Sequence, residues 1–439
     1  MGIGKKILDK FINNKSRLEK PKIINVEHHK IRNTMIDFNA LKVIGRLKKF
    51  GYEAYIVGGS IRDYLLGKKP KDFDVATNAT PKQIRKYFSN SRIIGRRFKL
   101  VHIIFKDTII ETATFRCEVD RRSKSKKSGV LLKDNNFGTI QDDVIRRDFG
   151  INALYYDPEN ETIIDYVGGY DDIKSKIVRP LKKPSISFLE DPVRMLRAVK
   201  YTALLDLKID EKDIKKIKQH AAELTKSSPS RLHEEINKIF KSEKVSPIIS
   251  ELCKVNLLKY LIPFLYEDIV INNNKQILDY ISAIDALIES KKTEEYELYW
   301  AVFLYERIKS EKLDVLSPSY SINIKSFFTR YLSTLKVPNK TSDHLAKVFH
   351  LFFRLQLPQS RKYTRKIKKY IYFDSAKTLL SVFNIDSEII SFWMNVETDK
   401  KSRSKEIHKK KKSPKKKIPK NKLNPKKVIT TKNFIEKTE

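Results

Sequence analysis

The fold of this chain is decided by the stretch YIVGGSIRDYLLGKKPKDFDVAT, residues 55–77. A short apolar run ends in a Gly-Gly turn, and Gly67 closes the helical pattern that follows. A second strand pattern then contains Asp72 and Asp74, one residue apart. Because residues i and i+2 of a strand point to the same face, the two carboxylates are expected to project together. Strand and helix patterns in this mixture predict an α+β domain.

The acidic pair stands out because the chain carries 90 Lys and Arg against 53 Asp and Glu, a formal charge of +37. Two neighbouring carboxylates repel each other, and a divalent cation removes that conflict. Magnesium is usually held by one or two carboxylates together with substrate phosphates. Taken alone, however, an Asp-x-Asp pair is better explained as solvated surface charge.

The glycine turn before the helix changes that interpretation. Glycines between a strand and a helix let the backbone approach a phosphate closely, and Arg62 lies in the helix that follows. The stretch matches neither the G-x-G-x-x-G dinucleotide pattern nor a P-loop, which ends in Gly-Lys-Ser/Thr. A Gly-Gly turn, an arginine and two carboxylates in this order predict a nucleoside triphosphate site with magnesium.

The chain divides into five predicted regions. Residues 1–36 are polar and mixed and are predicted to be an N-terminal extension. Residues 37–178 are predicted to be an α+β head, with a hairpin in KLVHIIFKDTIIETATFR, two strands in INALYYD and TIIDYV, and a turn at VGGYDD. Helical periodicity then predicts a neck at 179–250 and an all-helical body at 251–398. Residues 399–439 are predicted to be a disordered Lys-rich tail.

The charge of the chain predicts a polyanionic partner, and RNA is the expected one. Residues 401–427 contain 14 Lys and Arg and one Glu. A solubilising role would explain such a tail, but RNA contact through counterion release is favoured. Only two cysteines occur, which fits a reduced cytoplasmic protein. No apolar run approaches the ~18 residues of a membrane span. Separately, the protein is expected to be a monomer.

The stretch YIVGGSIRDYLLGKKPKDFDVATNATP resembles the signature motif of the class II nucleotidyltransferases, a family within the DNA polymerase β superfamily. That family comprises bacterial poly(A) polymerases and CCA-adding tRNA nucleotidyltransferases. RRDFGINALYYD resembles the family's second motif, and LEDPVRMLRAVKY resembles its nucleobase-reading motif. The resemblance covers residues 38–240 and implies a polymerase-β-like nucleotidyltransferase head followed by an all-helical neck and body.

The resemblance gives roles to residues of the first motif. It implies that Asp72 and Asp74 hold the catalytic Mg²⁺ ions, and the sequence leaves Mn²⁺ open as a replacement. It also implies that Gly59 and Arg62 contact the incoming nucleotide, with ATP as the expected substrate.

In the second motif, the resemblance implies that Arg147 reaches the triphosphate and that Asp148 belongs to the same active-site motif. The family usually has Thr where this chain has Gly150. The missing hydroxyl is expected to affect ribose or loop contacts, but it removes no metal ligand.

In the third motif, the resemblance implies that Asp191 and Arg194 hydrogen-bond the base edge and that Arg197 assists with phosphate or orients Asp191. At 100° per residue, these three side chains fall within one arc of a single helix, and the apolar residues lie opposite. An ordinary salt-bridged surface helix would show the same pattern in isolation.

The sequence leaves the role of Glu111, in IIETATF, open between two explanations. It fits a third catalytic carboxylate facing the aspartate pair, and it equally fits a half-buried Glu paired with Arg116 or another arginine. His102 is predicted to be a packed strand residue, because the chemistry requires no histidine base.

The segment RIIGRRFKLVHIIF, residues 92–105, discriminates between the two activities of the family. Bacterial poly(A) polymerases characteristically carry Gly-Arg-Arg-Phe here, whereas CCA-adding enzymes usually have a flexible Gly-x-x-His-Gly-type loop. The prediction is a template-independent polymerase that adds AMP to RNA 3′ ends by a two-metal mechanism. A CCA-adding enzyme and a catalytically inactive RNA-binding protein on the same fold are the alternatives.

Overall fold

An eight-stranded mixed sheet forms the N-terminal part of the protein. The computed structural model describes residues 20–95, 99–117, 136–311, 320–357, 364 and 366–396. The strands are β1 (Lys22–Ile24), β2 (Ala54–Val57), β3 (Asp74–Thr77), β4 (Ser91–Ile94), β5 (Leu100–Ile104), β6 (Ile109–Thr114), β7 (Leu154–Asp157) and β8 (Thr162–Asp165). Their order across the sheet is β1-β8-β7-β2-β3-β6-β5-β4, and all neighbours are antiparallel except β3 and β6, which are parallel.

Helices connect and cover the strands of the head. These are α1 (Val26–His29), α2 (Phe38–Lys49), α3 (Gly59–Leu65), α4 (Pro81–Tyr87), α5 (Ile140–Arg146) and α6 (Gly169–Lys174). Local chemistry sets their bounds, as the Asp37 carboxylate accepts the first N–H groups of α2, and Thr80 and Gln83 form a capping box on α4. Gly67, with φ +71°, follows the end of α3 as expected.

The rest of the described chain is helical, as the sequence predicts. Its α-helices are α7 (Pro184–Glu190), α8 (Val193–Leu205), α9 (Glu211–His220), α10 (Pro229–Phe240), α11 (Val245–Lys254), α12 (Leu257–Leu261), α13 (Pro263–Tyr266), α14 (Gln276–Glu289), α15 (Leu298–Ser310), α16 (Tyr320–Leu332), α17 (Asn339–Leu355), α18 (Phe373–Val382) and α19 (Ser387–Met394). Among the helices in the described ranges, none is long and apolar enough to cross a bilayer.

The chain divides into two compact units, at His350 and Leu351. This division falls inside the predicted body, and the predicted boundary between neck and body at residue 250 stays a prediction. The predicted Lys-rich tail lies outside the described residues.

Three features of the head differ from the sequence prediction. Residues 22–24, in the predicted N-terminal extension, form β1 and pair with β8, so the extension supplies an edge strand of the sheet. Residues 91–94 form the unpredicted edge strand β4. The expected turn at VGGYDD starts helix α6, because the Asp165 carboxylate accepts the backbone N–H groups of residues 167–170.

The nucleobase-reading motif also differs from its predicted form. Asp191 precedes helix α8 rather than lying in it, and its φ of −147° and ψ of 90° are extended. Pro192 explains the break, since proline disfavours the helical conformation of the preceding residue. Arg194 lies in α8, and the apolar side chains predicted to pack, including Met195 and Leu196, are buried.

Candidate active site

Three carboxylates lie near one end of the sheet, on strands β3 and β6 and on the segment before β3. Asp72, predicted to share a strand with Asp74, precedes β3 instead, because β3 begins at Asp74. Asp74 is the first residue of β3 and lies opposite Glu111 in the parallel pairing with β6. Solvent reaches the Asp74 side chain. Even so, burial by the surrounding protein raises the pKa of Asp74 to about 6, and the nearby carboxylates of Glu111 and Asp72 add to this shift. Arg147 has the opposite effect. The structure therefore concentrates negative charge where the sequence predicts cation binding.

The glycine turn approaches this charge directly. Gly58 has φ +76° and ψ −132°, a backbone conformation that residues other than glycine rarely adopt. A Cβ atom at Gly58 would lie 3.7 Å from Arg147 Nη1 and 4.0 Å from Asp74 Oδ2. The turn, the metal-type carboxylate and the arginine of the second motif thus converge on one location, as the sequence predicts for a nucleotide site.

Arg147 is held by a buried cluster that the sequence analysis missed. Its Nε donates to Tyr155 Oη at 2.9 Å, its Nη2 to Asp143 Oδ2 at 2.9 Å and its Nη1 to the Asn152 carbonyl at 3.1 Å. Burial opposes the positive charge, but Tyr155 and Asp143 raise the pKa of Arg147 above its ordinary value. Burial likewise opposes the Asp143 carboxylate, yet Arg147 lowers the pKa of Asp143. The guanidinium is therefore fixed in place and permanently charged.

A second chain of hydrogen bonds joins the first motif to the neck. Arg62 is 9% exposed, and its Nη1 donates to Asn152 Oδ1 at 2.8 Å. Asn152 Nδ2 donates to Asp148 Oδ1 at 3.0 Å, and Arg197 Nη1 donates to Asp148 Oδ2 at 3.3 Å. The guanidinium of Arg62 also lies 4.9 Å from the centre of the Tyr201 ring. The structure thus links Arg62, Asp148 and Arg197, while a direct contact of Arg62 with nucleotide stays a prediction.

The two predicted base-reading residues are both engaged by the protein. Arg231 Nη2 donates to Asp191 Oδ2 at 2.6 Å, and the Val193 N–H donates to Asp191 Oδ1 at 3.3 Å. Arg194 Nη1 donates to Ser187 Oγ at 3.0 Å. Arg194 Nε lies 4.0 Å from Asp191 Oδ2, so the acidic and basic members of the motif face the same region.

Glu235, on α10, neutralises the cations around this motif. Glu235 as a whole residue is 2% exposed. Its carboxylate lies 3.1 Å from Arg197 Nε, 3.1 Å from Lys238 Nζ and 3.4 Å from Lys200 Nζ. Burial would raise its pKa, but Lys200, Arg197 and Lys238 together lower the pKa of Glu235 to about 2. Burial also lowers the pKa of Lys200. The cost of burying the Lys200 ammonium therefore offsets part of the stabilisation of the Glu235 carboxylate.

Glu235→Gln is expected to reduce the fall in the free energy of unfolding as the pH becomes acidic. A carboxylate whose pKa falls on folding stabilises the native state above its unfolded pKa, and that contribution is lost as pH falls through about 4.5 towards about 2. The shift corresponds to at most about 3 kcal/mol. Urea unfolding at pH 5, 4 and 3 measures this, with the exposed Glu234→Gln as the matched control. Equal pH dependence in wild type and Glu235→Gln would contradict the assignment.

Glu111 lies beside Asp74, and the ion-pair partner found next to it is His102, whose Nε2 is 3.2 Å from Glu111 Oε1. The Glu111 side chain is 53% exposed. Its position next to Asp74 fits the third carboxylate, although its catalytic role stays a prediction. His102 is the partner across strands β5 and β6, in register with Glu111.

Position 150 leaves no room for a side chain, so glycine is required there. A Cβ at this position would overlap the Asp172 carboxylate, which pairs with Arg179. A Cβ at Gly169 would overlap the Gly150 carbonyl, so the two backbones pack directly. The space that a threonine side chain would fill is therefore taken by an ion pair from the segment that follows β8.

Gly150→Thr is expected to lower the free energy of unfolding by about 1–3 kcal/mol, because the Asp172–Arg179 pair must move to admit the side chain. Gly45→Ala is the matched control. Gly45 lies in α2 with open space at its Cβ, so alanine is expected to add about 0.5–1 kcal/mol. Chemical unfolding of both variants measures the difference. A Gly150→Thr protein as stable as wild type would show that the Asp172–Arg179 ion pair can move without loss of stability.

Five residues that contact the predicted site residues escaped the sequence analysis, namely Asp143, Asn152, Tyr155, Arg231 and Glu235. Helical spacing offered a partial signal, since each of two pairs, Asp143 with Arg147 and Arg231 with Glu235, is separated by four residues. The contacts of Arg147 with Asn152 and Tyr155 are also local, whereas the contacts of Arg62 with Asn152, Asp191 with Arg231 and Arg197 with Glu235 join positions 38 to 90 residues apart. Residues 96–98 of the discriminating segment and residues 118–135 lie outside the described residues.

The residues present fit a divalent cation. Among the described residues, no group of three or more His, Cys, Asp and Glu side chains is arranged to hold a metal ion. Asp72 and Asp74 offer hard carboxylate oxygens. Burial, and then the carboxylates of Glu111 and Asp72, raise the pKa of Asp74, and a bound cation would offset both effects. Two carboxylates completed by substrate phosphates is the usual coordination of Mg²⁺.

Comparisons with known proteins identify the family of this chain. The poly A polymerase head domain model matches residues 54–179, and the model for a probable RNA and SrmB-binding site of polymerase A matches residues 206–268. Poly(A) polymerase I of Salmonella typhi is 36% identical over 377 residues, covering 82% of this chain and 81% of that protein. A CCA-adding enzyme of Staphylococcus saprophyticus is 27% identical over 352 residues, covering 72% of this chain and 86% of that protein.

The fold has solved counterparts. The crystal structure of the Bacillus stearothermophilus CCA-adding enzyme in complex with CTP is 24% identical, with a TM-score of 0.54, and covers 84% of this chain and 80% of that chain. At this identity the likeness concerns the fold, and the family rests on the curated relatives. The chain belongs to the nucleotidyltransferase family of the bacterial poly(A) polymerases and CCA-adding enzymes, and it is an RNA nucleotidyltransferase.

Proposed function

We propose that this enzyme is a poly(A) polymerase, which adds AMP from ATP to RNA 3′ ends without a template. The observation that carries the proposal is the 36% identity to poly(A) polymerase I across most of both chains, compared with 27% to the CCA-adding enzyme. The Gly-Arg-Arg-Phe segment in the sequence supports the same activity. Cytoplasmic location, a monomeric state and RNA contact by the basic tail stay predictions of the sequence.

In the proposed reaction, the RNA 3′-oxygen bonds to the α-phosphorus of ATP, the bond to pyrophosphate breaks, and the hydroxyl proton is lost. Asp72 and Asp74 would hold Mg²⁺, which supplies activation of the hydroxyl and neutralises the leaving pyrophosphate. Arg147, fixed by Asp143 and Tyr155, offers a permanent positive charge beside Asp74 for the triphosphate. Glu111 adds a carboxylate next to the reacting groups.

Selection of adenine would rest on the reading pair. The exocyclic amine of adenine donates a hydrogen bond and its ring nitrogen accepts one. Asp191 can accept from the amine, and Arg194 can donate to the ring nitrogen. Both side chains are held by neighbours before nucleotide arrives, which favours a pocket of fixed shape.

A CCA-adding enzyme is the second candidate, because curated CCA-adding enzymes also match this chain. The test supplies purified protein with a tRNA lacking CCA and with an unrelated RNA, each with ATP alone, CTP alone or both. Long A-only tails on the unrelated RNA are the expected result. Addition that stops after three nucleotides and requires CTP would overturn the proposal, and no addition with any nucleotide would favour the inactive RNA-binding protein.

A further inference from the structure

The outward side of helices α2 and α4 carries positive charge without any negative charge. The two helices contain seven Lys and Arg residues and no Asp or Glu. Lys48 is partly buried, and its Nζ lies 2.5 Å from Asp157 Oδ1 and 2.8 Å from Glu159 Oε2. The other six are exposed and form no ion pair with any residue that the structure describes; they are Lys42, Arg46, Lys49, Lys82, Arg85 and Lys86. A bound polyanion can therefore neutralise them without breaking an internal pair.

One side of α2 combines these cations with an exposed ring and with open backbone. At 100° per residue, Phe38, Lys42, Gly45, Arg46 and Lys49 fall within an arc of about 100°. Phe38 is 68% exposed, and Lys42 Nζ lies 4.3 Å from the centre of its ring. A Cβ at Gly45 would have no neighbour within 4 Å, so no packing among the described residues requires glycine there. Glycine weakens a helix interior, and close approach by another molecule would account for its presence.

Aromatic rings lie among the cations where α2 and α4 meet. The rings of Phe50 and Tyr87 are stacked, with centroids 4.0 Å apart and planes at 20°, and the Tyr52 ring is 5.9 Å from that of Tyr87. Phe50 is 44% exposed, so part of a flat apolar surface faces solvent. Lys86 Nζ lies 5.8 Å from the centre of the Tyr87 ring. Surfaces that bind single-stranded nucleic acid combine these two features, because bases stack on the rings while cations bind the phosphates.

This surface lies on the side of the sheet opposite the proposed metal-binding carboxylate. Asp74 and Ala76 are two residues apart in β3 and therefore share a face. Ala76 belongs to a buried cluster with Val144 of α5. Helix α2 packs on β2 and β3 but supplies none of the residues of that cluster, so it covers the other face. The surface also lies outside residues 206–268, which match the RNA-binding model.

We propose that the α2–α4 face, formed by the six cations together with Phe38, Phe50 and Tyr87, is a second RNA-binding surface that holds a single-stranded part of the RNA. Phosphates bind the cations, and a base stacks on the exposed side of Phe50. A helix that binds a membrane inserts its apolar face, whereas the apolar side chains of α2 are buried within the protein. Single-stranded RNA is therefore favoured over an anionic membrane. The proposal rests on RNA as the substrate and not on which nucleotide is added.

The charge contribution is tested with Arg46→Gln/Lys49→Gln/Lys86→Gln. The affinity for a long labelled oligo(A), measured by filter binding without nucleotide, is expected to fall by about tenfold to 100-fold. The slope of log affinity against log salt should become shallower by about 2, because each phosphate contact of a single strand contributes about 0.7. Lys20→Gln/Lys30→Gln/Lys174→Gln removes the same charge from exposed positions elsewhere in the head and should leave the slope unchanged. An unchanged slope in the first variant, or an equal change in the control, would overturn the proposal.

The stacking contribution is tested with Phe50→Leu, which keeps an apolar side chain but removes the flat ring. Affinity for oligo(A) should fall by about fivefold or more at an unchanged salt slope, since no charge is lost. Affinity for a blunt RNA duplex should not change, because its bases are already stacked. Phe392→Leu, at an exposed ring in the other compact unit, is the matched control and should bind both RNAs as wild type does. An unchanged affinity for oligo(A), or an equal loss with both RNAs, would contradict base stacking on Phe50.

Two further measurements separate this surface from the active site and from a membrane contact. Single-turnover AMP addition at saturating RNA should be unchanged in every variant, because the face touches no reacting group. A rate that fell in parallel with affinity would overturn the assignment of a separate surface. Loss of binding to phosphatidylglycerol vesicles, with RNA affinity and salt slope as in wild type, would make the face a membrane contact instead. A wild-type enzyme that requires CTP would refute poly(A) addition and leave these RNA-binding results valid.

Discussion

Asp74→Asn is expected to reduce nucleotide addition at least a thousandfold while RNA affinity stays within about twofold of wild type. If Asp74 holds Mg²⁺ as proposed, the change removes an anionic metal ligand and leaves the shape of the side chain intact, so the loss falls on the chemical step. Removing one preorganised electrostatic group commonly costs 10²–10³ in rate, and a metal ligand is expected to cost more. Single-turnover extension of a labelled RNA measures the rate, and filter binding measures the affinity.

Stability decides whether Asp74 is functional or structural. Its pKa is raised to about 6, so the ionised side chain is less favourable in the native state than in the unfolded chain at pH 7. Removing the charge should therefore leave the free energy of unfolding unchanged or higher, as is common at functional sites. Asp171→Asn, at an exposed aspartate paired with Lys22, controls for loss of one negative charge. An Asp74→Asn protein that is both inactive and clearly less stable would instead make the residue a structural one.

Asp143→Ala is expected to lower the free energy of unfolding by about 3–5 kcal/mol, because it leaves the buried guanidinium of Arg147 without its carboxylate. The same change should raise KM for ATP about tenfold or more, since Arg147 is then free to turn away from the triphosphate position. Tyr155→Phe removes one hydrogen bond to Arg147 and keeps the charge pair, so a loss of about 1 kcal/mol is expected. Urea unfolding and steady-state kinetics measure the two effects.

The double variant Asp143→Leu/Arg147→Met tests whether the unpaired charge causes the instability. It should be more stable than Asp143→Ala, because both buried charges are removed together, yet it should be poorly active. If the double variant were less stable than Asp143→Ala, the loss would come from packing rather than from the unpaired guanidinium.

The local features of this protein could be predicted from its sequence. The strand, Gly-Gly turn, helix and the strand that begins at Asp74 follow from short-range patterns, and so do the hairpin and the helical region after it. The resemblance of three ordered motifs indicated the family before any geometry was known, and the relatives confirm it. Edge strand β4 and helix α6 were missed. The first two residues of β4, Ser91 and Arg92, are polar, and the Asp165 cap at the start of α6 has no periodic signal.

Only the tertiary structure decided which charges meet. Asp74 and Glu111 are 37 positions apart in the chain, and the parallel pairing of β3 with β6 brings them together. Asp191 and Arg231 lie on different elements of the neck, and the packing of α10 against α8 joins them. Periodicity reports which face of an element is buried, but it carries no information about the element that covers that face. The chemical groups of the site were therefore visible in the sequence, while their partners, orientation and pKa values came from the fold.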